Sequence, residues 1–169
     1  NRYFHKLGFN TIFESLINQD VININDIDIV LVGGSADSSP KVVDIVKNTT
    51  LDNLTLVIVQ HVEPNKKGFF DEILQRGTKY KVSYAKDFQK IEKGRIYLAP
   101  SNKHLKVRDG HFLLSDEDKH NFSKPSISLS YESFSSYYKE RLLVIQECGF
   151  ASDGVDRMEF LKSNNSKLI

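Results

Sequence analysis

Residues 28–39 read Asp28-Ile-Val-Leu-Val-Gly-Gly-Ser-Ala-Asp-Ser-Ser39. The apolar run Ile29–Val32 ends in two glycines and a serine, and Pro40 follows with a helical pattern. A short apolar run closed by glycine reads as a strand buried on both faces, the kind found in parallel sheets. The glycines fit a backbone that turns sharply where a side chain would clash. In open α/β sheets, ligands bind beyond the carboxyl ends of the strands, which is where Ser35 stands. The plainer reading of Ser35 is as the N-cap of the next helix.

The same grammar repeats along the chain. Leu54–Gln60 is a second continuous apolar run, and it ends at His61. Arg141–Gln146 is another, leading to the loop Gly149-Phe-Ala-Ser-Asp-Gly154. Between them, Lys79–Tyr84 and Gly94–Pro100 read as strands, and the segments at 40–47 and 67–76 as helices. His104–Val107 and His111–Ser115 flank Asp109-Gly110, a type I′ hairpin signal. A helix is expected over Ser126–Tyr138, with Ile127, Leu129, Ser130, Phe134 and Tyr137 on one face. A helix start is expected at Val155–Lys162, and the tail Ser163–Ile169 reads as short and polar. Strands alternating with helices predict a doubly wound α/β fold, with a mainly parallel sheet covered by helices on both faces. The hairpin is expected to make that sheet mixed.

Composition narrows the function classes. The chain has 169 residues, 40% hydrophobic and 27% charged, which suits one globular domain. A net charge of +1 offers no basic field for nucleic acid. No run is long enough for membrane insertion. The single cysteine, Cys148, rules out an internal disulfide and points to a reducing, cytoplasmic setting. Neither His-x-x-x-His nor carboxylate spacing suggests zinc. Gly33-Gly34 lacks the residues that complete a nucleotide-binding loop. The chain opens at Asn1 with no basic-then-apolar leader and no Met. We therefore expect no secretion signal and a fragment of a longer protein, with residues 1–27 an N-terminal extension or linker and 28–169 the domain.

Three strand ends carry complementary chemistry. Neighbouring parallel strands lie roughly 4.8 Å apart with their carboxyl ends on one edge. Ser35, His61 and Asp153 are therefore expected to meet there. An imidazole takes the serine proton, and a carboxylate fixes its tautomer and stabilises the imidazolium. Backbone N–H groups in the Gly149–Ser152 loop suit a developing oxyanion. His104, just after a strand-ending proline, is placed on the cleft wall. The order Ser…His…Asp differs from that of the α/β-hydrolases.

With these residues in hand, the chain resembles the catalytic domain of the chemoreceptor protein-glutamate methylesterases (CheB type). Gly33-Gly34-Ser35-Ala36 matches that family's serine motif, and Gln60-His61 its Gln-His segment. Gly94-Arg-Ile-Tyr-Leu-Ala-Pro100 with His104-Leu105, Pro125-Ser126-Ile127, and Gly149-x-x-x-Asp153-Gly154 match in the same order. The resemblance implies a Ser35–His61–Asp153 triad without metal or organic cofactor, and an oxyanion hole that uses the backbone N–H of Phe150 beside that of Ala36. It implies hydrolysis of γ-glutamyl methyl esters on methyl-accepting chemotaxis receptors, with deamidation of receptor glutamines beside it. It also implies a receiver domain, upstream or in trans, as a partner. The chain departs from the pattern at Asp37-Ser38, where the family has a glycine-containing turn, at Glu147, and at Ser128, where the family has Asp. It also ends before the family's last segment, so the domain reads as truncated at its C-terminus. These departures leave a rival reading, a catalytically silent module that binds a receptor or signalling partner. A flavodoxin-like small-molecule binder ranks behind both.

Overall fold

The computed structural model describes residues 24–61, 69–147 and 153–169. Six strands form one wholly parallel sheet: β1 (Ile29–Gly34), β2 (Thr55–Gln60), β3 (Lys81–Tyr84), β4 (Arg95–Leu98), β7 (Leu142–Gln146) and β8 (Lys167–Leu168). Their spatial order is β3-β4-β2-β1-β7-β8. The strands β5 (His104–Arg108) and β6 (His111–Ser115) form a separate antiparallel ribbon. The helices are α1 (Ser39–Asn48), α2 (Phe70–Arg76), α3 (Ile127–Tyr138) and α4 (Met158–Ser163).

The central strands are buried because both their faces are covered. All six residues of β1 and of β2 are buried. On one face Ile29, Leu31, Val57, Val59 and Val144 pack with Ile127, Tyr131 and Phe134 of α3 and with the ribbon. On the other, Val30, Val32, Leu56, Ile58 and Ile145 meet Val42, Ile45 and Val46 of α1 and Leu74 of α2. Each such aliphatic side chain contributes roughly 1.5–3 kcal/mol when fully buried. The chain runs from β1 outward through β2 and then returns to β7 on the other side of β1. That reversal is the switch point at which doubly wound folds place ligands.

Three expectations are corrected. First, the hairpin does not join the sheet. Its turn has the expected type I′ angles, with φ of 49° at Asp109 and 71° at Gly110. Its outer edge, however, is satisfied by hydroxyls of α3. Ser130 Oγ donates to the Leu105 carbonyl at 2.7 Å, and Ser133 Oγ accepts from the Val107 N–H at 2.9 Å. The edge-on pair Tyr97–Phe112, with ring centroids 4.8 Å apart, then fastens the ribbon over the sheet face. Second, the tail is not merely polar coil. Lys167 and Leu168 pair with Leu143 and Val144 of β7, a strand too short to show a pattern in sequence. Third, the inner face of α3 carries Tyr131 and Tyr138, whereas Tyr137 is exposed.

Gly33-Gly34 also has a different reason than a sharp turn. Both residues lie within the extended β1. A Cβ on Gly33 would overlap the Tyr131 hydroxyl and come within 2.7 Å of Ile127 Cγ2. The glycine therefore makes room for α3 to approach the end of β1. Gly33→Ala is expected to cost about 1–3 kcal/mol through overpacking, read as a lower urea midpoint. Trimming Ile127 to Ala in the same chain should make the two costs less than additive.

Candidate active site

The register brings the first two strand ends together. Gly34 lies beside Gln60, and the His61 N–H donates to the Gly34 carbonyl at 3.1 Å. Ser35 and His61 are thus the next neighbours across the β1–β2 ladder. Gln60, the last residue of β2, fixes the loop beyond Ser35. Its Nε2 donates to the Ser35 carbonyl and to Ser39 Oγ, both at 2.8 Å. Ser38 Oγ donates to the same Ser35 carbonyl at 2.6 Å.

Ser35 occupies the N-cap position of a 3-10 turn over Ala36–Ser38, but its side chain caps nothing. Its Oγ is buried and has no hydrogen-bond partner among the described residues. A buried polar atom without a partner costs about 1–3 kcal/mol, so it calls for a reason other than stability. The plain N-cap reading fails on this point. Ala36 opens the turn, where its N–H has no helical acceptor. Phe150 lies outside the described residues.

Asp153 is 2% exposed and sits at the start of α3. Oδ1 accepts from Ser126 Oγ at 2.9 Å and from the Ser128 N–H at 3.0 Å. Oδ2 accepts from the Ile127 N–H at 2.6 Å and faces His61 Nε2 at 2.8 Å. Burial works to raise the pKa of this carboxyl. Hydrogen bonds from His61, Ser128 and the Ile127 amide outweigh burial and hold it well below the usual carboxylate range. The helix N-terminus favours the same charge. An ionised carboxylate only accepts, so His61 Nε2 turns a proton towards it, and in the neutral ring Nδ1 holds the lone pair. The basic nitrogen left for a nucleophile is therefore Nδ1. His61 and Asp153 are brought into direct contact, while Ser35 Oγ is left without a bond to the ring. Catalytic hydrogen bonds often tighten only once substrate is bound.

His104 is not on the cleft wall. It is fully buried behind the site. Its Nδ1 accepts from the Ser126 N–H at 3.1 Å, and its Nε2 pairs with the Asp118 carbonyl at 2.9 Å. A backbone N–H on Nδ1 and a carbonyl on Nε2 require the neutral, Nε2-protonated ring. Its work is to hold the N-cap of α3, and through it Asp153.

Sequence reading missed several members of this group. Gln60 was part of a recognised motif but had no role. Ser126 was visible only as a helix start. Ser128 Oγ accepts from the Gly154 N–H at 2.7 Å and bonds Asp156 Oδ1 at 2.5 Å. Asn121 Nδ2 reaches Ser128 Oγ at 3.2 Å and Asp153 Oδ1 at 3.4 Å. Only the fold shows that these residues converge.

Fold and site together define a doubly wound α/β protein with a histidine–carboxylate pair and an unengaged serine at its switch point. The model of the CheB methylesterase family matches residues 30–169. The chain belongs to that family. A Leptospira interrogans relative, named for protein-glutamate methylesterase and protein-glutamine glutaminase, is 32% identical over 69% of this chain and 61% of its own length. The chain thus spans about three-fifths of that relative. A Saccharophagus degradans protein-glutamate methylesterase/protein-glutamine glutaminase is 26% identical over 82% of this chain and 41% of its own. The crystal structure of the Thermotoga maritima CheB methylesterase catalytic domain superposes with a TM-score of 0.75 at 23% identity, covering 84% of this chain and 78% of that one.

Asp153→Asn keeps an acceptor for Ser126 and Ser128 but turns an NH2 towards the donors of Ile127 and His61. The expected loss is about 1–3 kcal/mol at pH 7, measured by urea unfolding. Because the folded pKa is depressed, the contribution of Asp153 is complete above the ordinary Asp value of about 3.9 and is lost as pH falls towards the folded one. The gap between parent and variant should therefore narrow as pH drops below about 4.

Proposed function

We propose that this domain hydrolyses γ-glutamyl methyl esters on methyl-accepting chemotaxis receptors, and deamidates receptor glutamines, with Ser35 as nucleophile. The observation that carries this reading is the buried Ser35 Oγ, without a hydrogen-bond partner among the described residues, next in register to a histidine anchored on a carboxylate. Ser35 Oγ attacks the ester carbonyl and its proton passes to His61 Nδ1. Asp153 stabilises the imidazolium without taking the proton. The tetrahedral oxyanion is held by backbone N–H groups at Ala36 and Phe150. Collapse expels methoxide, which leaves as methanol with the proton from His61. Water activated by the same ring then attacks the acyl-enzyme and frees the glutamate carboxylate and Ser35. Receptor helices, a receiver domain and a cytoplasmic location belong to this reading. Among the described residues no helix is long and apolar enough to cross a membrane.

The departures from the family pattern are compatible with it. Asp37 lies in an exposed 3-10 turn and is not among the residues of positive φ, so it adds no strain there. Glu147 is paired with Lys41 of α1 at 3.2 Å, which offsets its charge.

The test is methanol release from a methylated receptor fragment. Ser35→Ala and His61→Ala should each lower turnover by about 1,000-fold or more; Ser35→Ala should leave the unfolding midpoint nearly unchanged, whereas His61→Ala lowers it by removing a hydrogen bond to the buried Asp153. Full activity in both variants would overturn the triad. A folded parent that binds the fragment and releases no methanol would mark a binding module instead.

A further inference from the structure

Next to Asp153 lies a turn whose chemistry the hydrolysis does not use. His120 and Ser123 close it with two backbone bonds, at 3.2 and 3.0 Å. The two residues between them both have positive φ, 50° at Asn121 and 62° at Phe122. This is type I′ geometry, which favours Asn followed by Gly. Asn121 fits, and its amide pins the turn to Asp153, Ser128 and Asp156. Phe122 does not fit. A bulky residue at that φ costs roughly 1–2 kcal/mol, and the ring is 98% exposed, so burial returns nothing. A strained, fully exposed aromatic fixed beside a reaction site indicates a contact made only in a complex.

We propose that Phe122 is a specificity-determining residue that meets the flank of the protein segment presenting the glutamyl ester. This rests on the esterase reading above. A protein-borne ester brings its own surface with it. A footprint of about 800 Å² per partner reaches roughly 16 Å from its centre. Phe122 is separated from the His61 ring by two hydrogen bonds through Asp153 and one peptide unit, which keeps both within the span of one such interface. Val155, two residues after Asp153, is also exposed. Aromatic side chains are the usual anchors of such contacts.

The experiment compares methanol release from a methylated receptor fragment and from γ-methyl N-acetylglutamate, which has no flank to bind. In Phe122→Gly the ratio of kcat/KM for the fragment to that for the small ester should fall about tenfold or more, through KM for the fragment. The melting temperature should hold or rise, because glycine relieves the turn. Phe122→Tyr keeps the ring and should keep the ratio. Phe88→Gly is the matched control. Phe88 also has positive φ (57°) and is 73% exposed, but its N–H bonds the Phe112 carbonyl of the ribbon. An unchanged ratio in Phe122→Gly, an equal fall for both esters, or an equal fall in Phe88→Gly would overturn the proposal. If the parent hydrolyses neither ester, the esterase reading fails. Fluorescence anisotropy of the labelled fragment with Ser35→Ala and with Ser35→Ala/Phe122→Gly then decides Phe122 alone. About tenfold weaker binding by the double variant supports it, and equal binding overturns it.

Discussion

The carboxyl edge of this protein depends on one anion in one socket. The first turn of α3 has backbone N–H groups with no helical acceptor, and Asp153 is a charge buried away from solvent. Each deficiency satisfies the other. The Ile127 and Ser128 amides and the Ser126 hydroxyl converge on the two oxygens of Asp153, and Asn121 and His61 complete the set. The ring of His61 is thereby oriented and its tautomer set. His104 works one step further back, by gripping the Ser126 N–H from beneath. A neutral imidazole suits that place because it accepts from one backbone group and donates to another.

The second constraint is space. α3 lies so close to the end of β1 that position 33 has no room for a side chain. The same helix uses serine hydroxyls to finish the edge of the ribbon and to meet the loop at Gly154. Serine within a helix usually weakens it, because its hydroxyl competes for backbone groups. Here that property is used outward. The hydroxyls of Ser128, Ser130 and Ser133 bond neighbouring segments, which explains why a helix of modest propensity is held firmly.

Much of the fold was legible because buried parallel strands are written as unbroken apolar runs, as at 29–32, 54–59 and 142–145. The hairpin turn was legible from Asp109-Gly110, but its place was not. Whether a ribbon joins a sheet depends on what meets its edge, and that partner comes some twenty residues later. β8 was hidden because two residues carry no periodicity. In the site, the expected approach of His61 and Asp153 followed from their places after strand ends, and the two are in contact. Gln60, Asn121, Ser126 and Ser128 are ordinary polar residues in sequence, and their roles come from long-range convergence. His104 looked like a cleft residue because histidine at a strand end is ambiguous between chemistry and support. Its two backbone partners resolve the ambiguity.

The contact between His61 and Asp153 spans 92 positions of the chain. During synthesis at about 5–20 residues per second, β1 and β2 emerge together, and the serine and histidine are present early. The carboxylate that orients the ring, and the helix that holds the carboxylate, follow roughly ten seconds later. Until then the imidazole lacks the Asp153 anchor, and its two neutral tautomers interchange. The nascent chain therefore carries Ser35 beside an unanchored His61, and the His61–Asp153 contact forms when β7, the Asp153 turn and α3 close on the sheet.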